Sequence, residues 1–438
     1  MTLSTAAVRS RRPSARSTNR RAVGSALVVA AMIAVTACGG SSDTDAGSAG
    51  GESVQADATK ADFQAALADM DPVEMKIQVL TPKETGYAKA WEDYGKALDE
   101  WSGGKITFKM HYSGAITPTG IEDALKDGLI DAAPFGPSAS PDNFPIAAWT
   151  TERMVYNQNT PVSGTLQQVA SVMQVGFEDK AMTKEIEDYG IHPLIPAVVN
   201  GSQDLMCGKE SMNSLSKIKG KQVRTSTPAS EHEMKALDAT TVSLPTLEVF
   251  EALQRSTVDC LVTSHTLSYA INLAEVAKYW VVDPDVALAP TSEVPAVSLS
   301  TWNELPLPAQ QLMHDRLDVF LKTYLQDHNL GGIAKSMEQA EDNGVKVETF
   351  EPDARKKLKS YHETVLAKDD APEGYDGKAF VTAMKTANDE WGTKVADLGY
   401  DEDVAWDDFA AHEKKTPTDV QPLVDELVTT VLSEHRPE

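Results

Sequence analysis

Short apolar strands and amphipathic helices alternate from Met75 onward, and the cycle runs through twice, which restricts the chain to an α/β fold. A short helix near Ala61–Asp69 precedes the first strand, Met75-Lys-Ile-Gln-Val-Leu80. Trp91, Tyr94, Leu98 and Trp101 then recur at spacings of 3, 4 and 3, one face of a helix, and read as core. Gly103-Gly104 ends that helix, and Lys105–Tyr112 alternates as a second strand should. A helix near Gly120–Asp127 leads to the strand Ile130–Phe135, and a helical stretch over Ser163–Tyr189 leads to His192–Val199. The pattern begins again with strands at Gln203–Cys207, Lys221–Thr225, Thr240–Leu244 and Val258–Val262. Helix dominates Pro306–Asp342, with Leu312, Leu317, Phe320 and Tyr324 on one face, before a strand at Val345–Phe350 and further helices. Roughly 360 ordered residues suit two domains, each with its own core.

The start of the chain belongs to neither domain. Six arginines and no acidic residue precede the apolar run Ala22–Ala37, and Cys38 stands where an export signal is cut. The run is under the roughly 18 apolar residues that a membrane span needs. Val35-Thr36-Ala37-Cys38, followed by Gly39-Gly40-Ser41-Ser42, resembles the lipobox of a bacterial lipoprotein, which implies that Cys38 is lipidated and becomes the new N-terminus. The stretch from Gly39 to about Lys60 lacks large apolar residues and reads as a flexible tether. The rest of the chain is thus expected outside the cytoplasm, held to the outer face of the cell membrane by lipid. The arginine pairs Arg11-Arg12 and Arg20-Arg21 leave the export route open.

The formal charge of −25 becomes six units more negative once the leader arginines are gone, which argues against nucleic acid as a partner. Two cysteines remain beyond Cys38. For Cys207 and Cys260 two buried thiols are the preferred reading, with a disulfide as the alternative in an oxidising compartment. Catalytic patterns are missing. Gly136-Pro-Ser-Ala-Ser140 lacks the closing glycine of a nucleophile elbow, His232-Glu233 has no second histidine four residues on, and the nine histidines are scattered. No phosphate-binding glycine loop occurs, so neither a cofactor nor a metal is expected. Acidic clusters such as Glu185–Asp188 and Asp401–Asp403 read as solvated faces.

One ordered series of motifs is informative. Lys217-Ile-Lys-Gly-Lys-Gln-Val-Arg-Thr225 is followed by a helix near Ser230–Leu237, then Thr241-Val-Ser-Leu-Pro245, Leu247-Glu-Val-Phe-Glu-Ala-Leu-Gln254 and Thr257-Val-Asp-Cys260. Earlier come Trp101-Ser-Gly-Gly-Lys-Ile-Thr-Phe, Gly114-Ala-Ile, Glu122-Asp-Ala-Leu-Lys-Asp-Gly-Leu-Ile-Asp131 and Phe144-Pro-Ile; later come Trp302-Asn-Glu-Leu-Pro306 and Gly344-Val-Lys-Val. From about Met75 to Leu366 this series resembles the solute-binding proteins of tripartite ATP-independent periplasmic (TRAP) transporters. The resemblance implies a periplasmic-binding-protein-like fold of type II, with mixed sheets joined by hinge strands and a long helix. It also implies that Arg224, the strand arginine, clamps a ligand carboxylate. A guanidinium offers a planar fork of donors that matches a carboxylate and stays charged when buried.

Further lining positions carry over residue by residue. Where the family shows Gly-x-Glu-Asn this chain has Cys260-Leu-Val-Thr-Ser264, so Thr263 and Ser264 are the expected hydroxyl donors. Thr85 and Ser138 lie in loops after the first and third strands, and Trp149 is a candidate wall. Many members carry a second arginine in the strand entering the second domain. Asn200–Met206 has none, which argues against a simple dicarboxylate and leaves Gln203 or Asp204 to meet an amino or hydroxyl group.

The expectation is therefore a membrane-tethered solute receptor, not an enzyme, which closes two domains on a small carboxylate and presents it to the membrane subunits of a TRAP transporter. Alternatives are the receptor of an ATP-driven importer, a sensor domain, an anchored extracytoplasmic enzyme, or an adhesive lipoprotein. The expected layout is a signal over 1–37, Cys38 and tether over 38–60, and a first domain over 61–198 with about 284–305. A second domain takes 199–283 with about 306–400, and a peripheral acidic helical extension takes 401–438.

Overall fold

In a computed structural model, which describes residues 51–156, 158–400 and 404–438, the apolar stretches form strands. The leader and Cys38 lie outside the described residues. In chain order the strands are β1 (Val73–Gln78), β2 (Ile106–His111), β3 (Ala132–Phe135), β4 (Ile191–Pro193), β5 (Val198–Val199) and β6 (Gln203–Cys207). They continue with β7 (Gln222–Thr225), β8 (Thr240–Ser243), β9 (Cys260–Ser264), β10 (Tyr279–Val281), β11 (Ser292–Ser298) and β12 (Lys346–Glu348). One sheet runs β2-β1-β3-β11-β4, with β5 also paired to β11; the other runs β12-β10-β6-β9-β7-β8.

Both sheets are mixed. β1 is parallel to β2 and β3, with Met75 opposite Phe108, whereas β11 enters antiparallel beside β3 and β4. β7 is parallel to β8 and β9, while β6 is antiparallel to β9 and β10. Helices cover the sheets, so β3 and β9 are buried at every position, and β3 reads as a continuous apolar run. Trp91 and Tyr94 are fully buried on the helix Gly86–Ser102 and meet Phe320 edge-on at 5.5 and 6.1 Å. Aromatic pairs at such angles add to the burial of their area.

The chain passes between the sheets at Val199–Gln203 and again between β10 and β11. A third connection is the long helical run Leu307–Asp342. Its segment Leu317–Thr323 packs on Gly86–Ser102, beside the first sheet, and its segment Gly331–Asp342 packs on His265–Ala270, which follows β9. Between them Tyr324–Leu330 is π-helical. At that point the helix Gly86–Ser102 comes so close that a Cβ on Gly86 would sit 2.2 Å from the Asp327 carbonyl oxygen, so only glycine fits.

Four expectations change. The stretch 306–400 does not stay with the second sheet, because Leu317–Thr323 packs beside the first sheet and Gly377–Asp397 packs on Ser163–Glu178. The tether is shorter than expected: the Val54 amide donates to Gln311 Oε1 at 2.8 Å, and Arg436 Nη1 donates to the Val54 carbonyl at 2.6 Å. Nor is the C-terminal extension peripheral. Phe409, Val420, Leu423 and Leu427 are fully buried, and Arg436 grips Asp315 through Nε at 2.8 Å. Finally, Cys207 and Cys260, directly opposite in the β6–β9 pair, form a disulfide. The two-residue offset of β9 from its expected position matters for function, because it carries Thr263 and Ser264 into the strand end.

Candidate ligand-binding site

In open α/β sheets ligands settle beyond the carboxyl ends of parallel strands. Here the strand ends of both sheets open onto one cavity of about 320 Å³. From the first sheet come Leu80 and Thr81 after β1, Pro134 to Gly136 at the end of β3, and the turn Pro118–Glu122. From the second come Arg224 near the end of β7 and Val262 to Ser264 at the end of β9.

Arg224 dominates the electrostatics. Its side chain is buried, only 4 % exposed, and donates through Nε and Nη2 to the Leu244 carbonyl at 3.2 and 3.0 Å. No acidic side chain among the described residues lies within 4.0 Å of the guanidinium. Burial without a counter-charge pulls its pKa down to about 10. A charge removed from water in this way is costly unless an anion meets it. The helix Pro228–Ala236 begins at the cavity edge, capped by the Thr227 hydroxyl, and adds the positive end of its dipole. The Thr263 hydroxyl is buried and has no partner among the described residues; Ser264 caps the helix His265–Ala270 and shares a 2.9 Å hydrogen bond with Thr266.

A second group of residues gathers where the chain crosses between sheets. Glu293 on β11 accepts hydrogen bonds from the Tyr87 hydroxyl and the Asn200 side chain. The Asn200 carbonyl oxygen accepts in turn from Tyr324 Oη at 2.7 Å and His328 Nε2 at 3.0 Å, and the His328 ring stacks on Tyr87 with centroids 4.6 Å apart. Burial pushes the His328 pKa down to about 3, so the ring is neutral, and burial raises the Glu293 carboxyl above its usual range. Tyr87, Asn200, Glu293 and His328 all line the cavity with Arg224.

Of the residues singled out by sequence, Arg224, Thr263, Ser264 and Gln203 come together on the cavity. Asp204 faces away from it, buried against His265 Nε2 at 3.2 Å and Asn159 at 3.1 Å. Thr85 does not line the cavity; its hydroxyl caps the helix Gly86–Ser102 and donates to the Pro82 carbonyl. Ser138 is fully buried in a short turn behind Gly136. Trp149 is also elsewhere, stacked under the Arg153 guanidinium and donating to Asp370 at 3.0 Å. The crossing residues were missed. The signals available were a lone acid beside the apolar run Val294–Val297 of β11 and a Tyr324–His328 pair four residues apart on a buried helix face. Among the described residues no group of three or more histidines, cysteines or acids is placed to hold a metal ion. No described helix is long and apolar enough to cross a membrane.

Residues 77–370 match the family model described as bacterial extracellular solute-binding protein, family 7. The chain belongs to that family. Solved structures with the same fold include a TRAP periplasmic solute-binding protein from Desulfovibrio salexigens with bound orotic acid (18 % identity, TM-score 0.62, covering 73 % of this chain and 99 % of that one). Another, from Sulfitobacter sp. NAS-14.1 with bound β-D-galacturonate, is 17 % identical, with a TM-score of 0.58 and coverage of 72 % and 100 %. A third, from Rhodoferax ferrireducens T118 with copurified benzoate, is 18 % identical, with a TM-score of 0.62 and coverage of 74 % and 99 %. No curated relative matches the chain. The receptor is thus an extracytoplasmic solute-binding protein of the TRAP type, a binding component whose partners are transporter subunits in the membrane.

Proposed function

We propose that the receptor captures a small organic acid between its two sheets, with the ligand carboxylate on Arg224, and delivers it to the membrane subunits of a TRAP transporter for uptake. The observation that carries this reading is the buried guanidinium on the cavity wall with no acidic side chain among the described residues within 4.0 Å to neutralise it. A carboxylate is the planar anion that matches such a fork, and the Thr263 hydroxyl and the Pro228–Ala236 helix end supply further donors. Orotate, galacturonate and benzoate, bound by the three relatives, are all acids of a size that suits about 320 Å³. Cys38 carries the lipid that holds the receptor at the membrane, with the segment up to Gly51 as its tether.

The test is a thermal-shift screen of organic acids, sugar acids, amino acids and neutral solutes against the wild type and Arg224→Gln. A ligand present at 100 times its dissociation constant stabilises the folded form by about 2.7 kcal/mol. The expected result is a rise with one class of acid that Arg224→Gln abolishes. A rise with neutral solutes alone overturns the carboxylate assignment.

A further inference from the structure

The cavity is lined by a buried guanidinium, Arg224, and a half-buried carboxyl group, Glu293, and they do not meet. Arg224 stands at the end of β7 in one sheet, and Glu293 stands at the start of β11 in the other. Neither lies within 4.0 Å of an oppositely charged side chain among the described residues. Glu293 is half-buried and borders the cavity. It accepts from two donors, Tyr87 and Asn200, while a carboxylate has about four acceptor positions. Asn200 is fixed in that role, because its carbonyl oxygen already accepts from Tyr324 and His328 and its amide N–H groups are left to face the acid. His328, held neutral, cannot serve as the missing cation. A second acid, Glu122, also lines the cavity and is met there by the Ser140 hydroxyl at 2.8 Å. The lining therefore carries one guanidinium and two carboxyl groups, and a simple carboxylate would meet the first and leave the acceptor positions of the others unused.

We infer that the ligand is an amino acid in the broad sense, a carboxylate that also carries a protonated amine, and that Glu293 is the specificity residue that accepts the ammonium hydrogens. This inference rests on the carboxylate reading of Arg224 and adds the other half of the ligand. Ammonium hydrogens need acceptors, and the two unused positions on Glu293, with the hydroxyls of Thr81 and Thr291 at the same cavity, supply them. The absence of an arginine from the stretch Asn200–Met206 fits the same account, since a ligand with one carboxylate and one cation needs only one guanidinium. The hydroxyl side chains around the wall suit a polar ligand of this kind better than a purely aromatic acid.

The experiment is calorimetric titration of the purified protein with matched acids that differ only at the α-substituent. The probe sets are L-glutamate, 2-hydroxyglutarate and glutarate; L-phenylalanine, phenyllactate and 3-phenylpropanoate; and L-alanine, lactate and propionate. Each is titrated into wild type, Glu293→Gln and Arg224→Gln. In the set that binds, the amino acid should exceed the unsubstituted acid by about tenfold to a hundredfold, the range of a hydrogen bond to a charged group. Glu293→Gln keeps the shape and an acceptor oxygen for Tyr87, so it should erase most of that preference and leave the unsubstituted acid bound as before or more tightly. A purely structural Glu293 would lower all members of a set together. An acid that binds through Arg224 with no preference for the amine, or with a preference for the hydroxyl, overturns this inference and leaves the carboxylate reading standing. If none of the acids binds, the amino-acid inference falls, and the carboxylate reading is decided by the broader thermal-shift screen.

Discussion

Glu152 is one residue at which the two halves touch away from the cavity. It follows the helix Pro145–Thr151 on the first-sheet side and accepts from His232 Nδ1, at 2.9 Å, on the helix Pro228–Ala236 of the other side. Tyr361 donates to the same oxygen, and Arg153 lies 3.5 Å from the other one. The hydrogen bond to Glu152 raises the His232 pKa above its ordinary 6.5, against the opposing effect of partial burial. A raised value in the folded state stabilises the fold fully below the ordinary value, and the contribution disappears as the pH climbs through the folded value. His232→Gln should therefore lower the urea midpoint relative to wild type at about pH 5.5 and leave it little changed at about pH 9. His232 is half exposed, so the difference will be small and will shrink with salt. An equal loss at both pH values would mean that the imidazole acts by packing alone.

At the scale of elements, Gly86 decides how closely two helices approach. A methyl group there would overlap the Asp327 carbonyl and the His328 amide, both backbone atoms that cannot swing aside. Gly86→Ala should cost about 1–3 kcal/mol of stability by denaturant titration. It should also weaken ligand binding, because Tyr87 and His328 flank the contact and both line the cavity. Unchanged binding would show that the π-helical turn tolerates displacement. Element by element, most of the fold was legible beforehand: Gln203–Cys207 coincides with β6, and Leu312, Leu317, Phe320 and Tyr324 are all buried. Period-two and period-3.6 patterns are local, so they survive in sequence. The site was only half legible for the same reason. Arg224, Thr263 and Ser264 sit within two neighbouring strand ends, whereas Tyr87, Asn200, Glu293 and His328 come from four distant segments joined only by the crossing of the chain. Thr85 was misread because a cap and a ligand contact ask for the same side chain.

For the whole molecule, the C-terminal stretch is a structural part of the receptor. Trp406 stacks on His265 with centroids 4.7 Å apart and donates to the Asn159 carbonyl at 3.0 Å, directly behind the strand end that carries Ser264. Phe409, Val420, Leu423, Val424 and Leu427 are buried beyond it. Each such side chain contributes about 1–2 kcal/mol, so together they approach the whole stability of an ordinary domain. Truncation before Val404 should yield a protein that is cleaved rapidly by a protease, as read on a gel. A truncated chain with wild-type resistance would return the extension to the status of an appendage.

The helical run Leu307–Asp342 is shared property: one end is built into the packing of the first sheet and the other into that of the second. Two bodies riveted to one beam cannot part freely, and any separation has to flex the beam. Its irregular turn, Tyr324–Leu330, is also where His328 reaches the Asn200 crossing and the cavity wall. The cavity thus lies at the fulcrum, and filling it would stiffen the joint through which both halves of the surface would have to move.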